Sequence, residues 1–295
     1  MKLLISLVLL TCFAIPASAQ VQSLLHKEEK RRYIVYTPPS YATQPQKAFP
    51  VVMSFHGGGM SMAEQMLYTQ MNRNADRNGY IVVYPAGIKQ DWNVGFETSY
   101  LAGTDDIGFT QSLLAKLKRD YRIDSERVYA TGLSRGGFFT LRIAAELPHL
   151  FAAIASVGAP MPEPVAQHHT KPSKIGVMLI HGTADQVVDY KGKPGSYYSA
   201  EQSFDYWLKQ NGAPTAAPTR RLLNADPSDG TEVTWLEQAN GTQSTSLITI
   251  TGAGHTWPGA DPFNVGLPIG KTTREIDANE AIWQFFTNHR LPAPQ

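Results

Sequence analysis

The stretch VYATGLSRGG, residues 128–137, sets Ser134 between two glycines directly after a β-branched and aromatic run. Glycine and serine punctuate turns of every kind, so five residues alone do not decide the matter. The pattern G-x-S-x-G, here Gly132, Leu133, Ser134, Arg135 and Gly136, also describes a sharp strand-to-helix turn that lifts a serine hydroxyl above a sheet. Such a turn needs a strand before it and a helix after it. The apolar run 128–131 supplies the strand, and RGGFFTLRIAAELP, which stops at Pro148, supplies the helix.

Outward from this point the same alternation repeats. RRYIVYTPPSY (31–41), FPVVMSFHGGGM (49–60), GYIVVYPAG (79–87), FAAIASVGAP (151–160), KIGVMLIHGTAD (174–185) and STSLITITGAGH (244–255) are apolar runs closed by glycine or proline. Continuous apolar runs suit strands buried on both faces of a parallel sheet. Helical patterns lie between them. In DIGFTQSLLAKLKRDY (106–121), Ile107, Thr110, Leu113, Leu114 and Leu117 form one stripe, with Asp106 as the predicted N-cap. SAEQSFDYWLKQNG (199–212) and EIDANEAIWQFFTNH (275–289) read the same way. Strand and helix alternate without a repeat, a linker or a composition shift, which predicts one doubly wound, mostly parallel α/β domain.

Composition bounds the partners. With 42% hydrophobic and 17% charged residues, a well-filled core is expected. The 26 Lys and Arg against 25 Asp and Glu give +1, and no basic face is implied, so nucleic acid is excluded as a partner. At the N-terminus, Lys2, the apolar LLISLVLL and the small-residue ASA (17–19) read as a secretory signal peptide over 1–19, leaving 20–295 as the folded, secreted domain. The apolar run falls short of the ~20 residues a membrane span needs. Cys12, the single cysteine, lies in this leader; a lipoprotein anchor there is the alternative. A cut after Ala19 leaves no disulfide framework and no thiolate metal site.

A serine hydroxyl needs a base, and the base an orienter. Of eight histidines, His255 in TGAGHTWPG follows the last apolar strand in a glycine-rich loop. His149, His168, His169 and His289 read as solvated, at helix ends or in polar loops, and His181 as a structural hydrogen-bonding residue at a strand end. For the acid, Asp185 follows a buried strand; Asp189 is its nearest rival, while Asp226, Asp229 and Asp261 fall in turn sequences. The order Ser134, Asp185, His255 is that of a hydrolase triad built on this kind of sheet, each group standing at a strand end where such sheets carry ligands. Two backbone N–H groups complete the expectation as an oxyanion hole: Arg135, next to the nucleophile, and Gly58 in HGGG (56–59). Trp92 and Trp257 are expected to line the pocket, with core packing as the alternative for both.

Together HGGG, YPAG, DWNVG, DDIGF, RVYATGLSRGG, HGTAD and GHTWPG resemble the secreted esterase family that groups polyhydroxybutyrate depolymerases with feruloyl esterases, over nearly all of the chain after the leader. The resemblance implies an α/β-hydrolase fold, Ser134, Asp185 and His255 as the triad, and neither metal nor cofactor. Many relatives carry cysteines near DWN and after HG, and these places hold none here. The expected activity is that of a secreted serine carboxylic-ester hydrolase acting on hydroxycinnamoyl esters of plant cell walls through an acyl-enzyme. The alternatives are hydrolysis of polyhydroxybutyrate or its oligomers, of acetylated xylan, or of a peptide-like amide. An intact Ser, Asp and His set speaks against a non-catalytic binding module. The partner is then a small or oligomeric ester.

Overall fold

A computed structural model of the chain describes residues 18–263 and 268–292. Most of the expected signal peptide, Cys12 included, lies outside the described residues. The strands are β1 (Ser18–His26), β2 (Glu29–Thr37), β3 (Phe49–Phe55), β4 (Ile81–Pro85), β5 (Ile123–Leu133), β6 (Ala153–Val157), β7 (Gly176–Gly182), β8 (Thr219–Leu223), β9 (Glu232–Asn240) and β10 (Gln243–Thr251). The helices are α1 (Pro39–Thr43), α2 (Met62–Thr69), α3 (Met71–Asn78), α4 (Asp106–Asp120), α5 (Arg135–Glu146), α6 (Glu163–His168), α7 (Ala200–Gln210) and α8 (Ala278–Thr287).

Among the described residues all ten strands form one sheet in the order β1-β2-β4-β3-β5-β6-β7-β10-β9-β8. Six neighbours, β4 through β10, run parallel, and an antiparallel pair extends each edge. The parallel strands are the apolar runs of the sequence, and their side chains divide between two cores. In β7, Val177 and Leu179 join the face covered by α4, α5 and α7, while Met178 and Ile180 join the face covered by α2, α3 and α8. Burial on both faces explains why these strands show no polar alternation. The mature N-terminus expected at Gln20 falls within β1, so the pairs from Gln20↔Val35 to His26↔Glu29 remain after such a cut.

At the start of α4 the cap differs from expectation. Asp105 is the N-cap, accepting from the Gly108 N–H at 2.9 Å. Asp106 is instead buried, paired with the equally buried Arg31 at 2.7 Å. Its other oxygen accepts from the Asn93 N–H and the Thr104 hydroxyl, both at 2.8 Å. A buried carboxylate is tolerated only with such partners, and these tie the loop after β4 to the sheet.

Candidate active site

Ser134 sits between β5 and α5 with φ +54° and ψ −119°, a conformation that costs about 1–3 kcal/mol for a residue with a side chain. The surroundings enforce it. Its N–H donates to Val157 O at 2.8 Å and its carbonyl accepts from the Phe138 N–H at 2.9 Å. The flanking glycines are steric necessities: a β-carbon on Gly132 would lie 2.4 Å from the Gly136 carbonyl carbon, and one on Gly136 would lie 2.2 Å from Phe55 O. The motif is therefore written by backbone crossing at the mouth of β3 and β5.

The same sheet edge carries the other groups. Asp185 follows β7 and His255 follows β10, both buried, and Asp185 Oδ2 accepts from His255 Nδ1 at 2.6 Å. Asp185 Oδ1 accepts from the Val187 and Val188 N–H groups, each at 2.8 Å. Burial by itself would raise the Asp185 carboxyl, but the hydrogen bonds from His181 and His255 outweigh it and hold the group well below the usual carboxylate range. Asp189, the rival acid, accepts from the Lys191 N–H at 2.8 Å and serves its own turn. Gly158, with φ +61°, leaves room for the imidazole: a β-carbon there would stand 3.1 Å from His255 Nδ1.

Ser134 and His255 face a common cleft whose other walls are Gly57, Gly58, Met60, Tyr68, Leu133 and Ile269. A β-carbon on Gly58 would be 3.5 Å from Arg135 Cβ, so the two expected oxyanion donors are neighbours. Arg135 opens α5, where N–H groups lack intrahelical acceptors. Among the described residues the Gly58 N–H has no backbone acceptor either, since the bonds of this loop run from Gly59 to Gln90 O and from Met60 to Gly57 O. His56 holds the loop. Its Nε2 accepts from the Gly87 N–H at 2.9 Å and its Nδ1 donates to Gly57 O at 2.8 Å, as burial lowers its pKa and keeps it neutral. Among the described residues no three His, Cys, Asp or Glu side chains cluster in a way that could hold a metal ion.

The two tryptophans are not where they were expected. Trp92 is 1% exposed and Trp257 is fully buried, and neither lines the cleft. Trp92 stacks on Phe139 at 5.2 Å, meets Phe55 edge-on at 5.1 Å and donates through Nε1 to His56 O at 3.0 Å. Trp257 donates through Nε1 to Asn279 Oδ1, and its N–H reaches the Tyr68 hydroxyl. An aromatic beside a catalytic loop reads alike in sequence whether it faces substrate or supports the loop. The wall aromatic is Tyr68, stacked on Phe263 at 5.0 Å, and nothing in its local sequence singled it out. Trp92→Ala is accordingly expected to cost about 3–5 kcal/mol in denaturant unfolding. A raised KM with unchanged stability would return Trp92 to the pocket.

The loop around DWNVG has no cysteine staple, yet polar contacts fix it. Asn93 Nδ2 donates to Ser99 O, Tyr100 O and Thr104 O, each at 3.3 Å. Arg142 donates to Asn93 O at 2.8 Å, and Asp91 pairs with Arg135 at 2.9 Å. One further correction concerns His289, which is 1% exposed rather than solvated. It accepts from the Ser244 N–H and donates to Phe285 O.

A serine at a strained strand-to-helix turn, an acid and a histidine after later parallel strands, and one mostly parallel sheet define an α/β-hydrolase. The chain belongs to the esterase PHB depolymerase family, whose profile matches residues 31–195. That membership makes it a carboxylic-ester hydrolase. It is 28% identical over 286 residues to NocK of Nocardia uniformis subsp. tsuyamanensis, named as an esterase, covering 86% of this chain and 78% of that one. It is 27% identical over 239 residues to feruloyl esterase B of Piromyces equi, covering 76% of this chain but only 42% of that protein. The solved acetyl xylan esterase from Aspergillus awamori shares the fold with a TM-score of 0.64 at 18% identity, over 91% of this chain and 99% of that one.

Proposed function

We propose that the protein is a secreted serine esterase in which Ser134, His255 and Asp185 form the catalytic triad. The reading is carried by the 2.6 Å contact between Asp185 and His255 behind a cleft that His255 shares with Ser134. Ser134 attacks the ester carbonyl, and His255 takes its proton and returns it to the leaving alcohol. Asp185 fixes the His255 tautomer and stabilises the imidazolium. The N–H groups of Gly58 and Arg135 hold the oxyanion, and water then cleaves the acyl-enzyme. His255 must be neutral to act as the base. Secretion follows removal of residues 1–19, a reading supported by the leader pattern.

For the substrate we propose hydroxycinnamoyl esters. A flat aryl acyl group suits the apolar walls of Met60, Leu133, Tyr68 and Ile269, and the feruloyl esterase B relative of Piromyces equi supports the same class. The narrowness of the cleft favours acetyl groups as the second reading. One panel at matched concentrations decides: methyl ferulate, acetylated xylan, hydroxybutyrate dimer and trimer, and a peptide amide. Ferulate release and cleavage of short p-nitrophenyl esters are expected. Fast cleavage of hydroxybutyrate oligomers or release of acetate from xylan, with no ferulate released, would leave the esterase and remove the feruloyl assignment.

A further inference from the structure

Asp185 Oδ2 has a second imidazole on it. His181, the next-to-last residue of strand β7, is 3% exposed, and its Nε2 lies 3.2 Å from Asp185 Oδ2 and 2.9 Å from Val188 O. Both contacts are acceptors, so Nε2 carries the proton and donates to the two of them. Nδ1 is buried without a hydrogen-bond partner among the described residues, which suits an unprotonated ring nitrogen. The ring is walled in by Tyr190 at 5.6 Å, whose hydroxyl bonds Thr249 of β10 at 2.8 Å. His181 does not line the cleft and cannot touch substrate.

We infer that His181 is a positioning residue for the proposed triad: its Nε2–H pins the Asp185 carboxylate in the plane that receives His255. The inference rests on the triad reading and deepens it. With His181 in place, all four donors to Asp185 are fixed, two backbone N–H groups on Oδ1 and two imidazoles on Oδ2. The carboxylate then has one orientation, and Val188 O ties the donor to the segment whose amides hold the opposite oxygen. A second donor also withdraws charge from Oδ2, so it tempers how strongly Asp185 stabilises the His255 imidazolium. The titratable groups facing Asp185 are His181, His255 and Tyr197, and Tyr190 faces His181.

The test compares two amides of different reach. In His181→Gln the side-chain N–H₂ reaches the Nε2 position; in His181→Asn it stops near Nδ1, short of Asp185. His181→Asn is expected to lower kcat about tenfold, leave KM within about twofold, and move the acid limb of kcat/KM to higher pH. His181→Gln is expected to recover kcat and return the limb to its wild-type position. Equal losses in both chains with an unmoved acid limb would make His181 merely structural, and unchanged kinetics in His181→Asn would remove its role. Should the Asn chain fail to fold, His181→Ala takes its place beside His181→Gln, with the same expected loss of kcat, the same upward move of the acid limb and the same contradicting results. Ser134→Ala is assayed alongside. If it stays active, the triad reading fails, a result distinct from any His181 outcome.

Discussion

Ser134→Ala is expected to lower kcat by up to ~10⁶ while the chain remains folded, because removing a triad serine removes the covalent path altogether. The position should accept alanine sterically. The strained φ of +54° is imposed by the backbone crossing at Gly132 and Gly136 and by the Val157 and Phe138 hydrogen bonds, none of which uses the hydroxyl. Thermal unfolding measured with the kinetics separates the outcomes. A folded chain that retains more than about 1% of wild-type kcat would show that Ser134 is not the nucleophile.

Asp185→Asn is the second large effect, with an expected loss of up to ~10⁴ in kcat. The amide oxygen can replace Oδ1 toward the Val187 and Val188 N–H groups, which turns the N–H₂ toward His255 Nδ1 and His181 Nε2. Donor then faces donor at both imidazoles. His255 can accept only by shifting its proton to Nε2, the atom that must take the serine proton, and His181 has no such escape without losing Val188 O. Stability should therefore fall along with activity. Asp189→Asn serves as the comparison, since its carboxylate caps a local turn and should leave kcat within a few-fold of wild type. Greater damage from Asp189→Asn would reverse the assignment of the acid.

What the sequence made legible follows from where sterics and burial leave a trace. The elbow was readable because Gly132 and Gly136 admit no side chain, and the parallel strands because burial on both faces demands unbroken apolar runs. The edges left little trace. β8, TRRLL, is exposed along its length, and β9 alternates instead of running apolar, as a strand half in solvent does. α2 carried a signal that was passed over, the Ser61 and Glu64 capping box. At α4 the cap expected at Asp106 falls to Asp105, because Asp106 turns inward to the buried Arg31, a partner far off in the sequence. The tryptophans misled because side-chain direction, not residue type, separates a pocket wall from its support. His181 was read correctly as a hydrogen-bonding residue, but its partner became visible only once the ends of β7 and β10 were side by side.

The most direct measurement is covalent labelling with a fluorophosphonate, read by intact mass and peptide mapping while esterase activity is followed. The expected result is a single adduct on the peptide carrying Ser134, formed at the rate at which activity disappears and absent in Ser134→Ala. The contradicting result would be loss of activity in step with an adduct elsewhere. Ser112 is the pointed case, because its Oγ lies 3.1 Å from His26 Nδ1 and His26 Nε2 lies 3.1 Å from Asp105, a surface arrangement of the same three residue types.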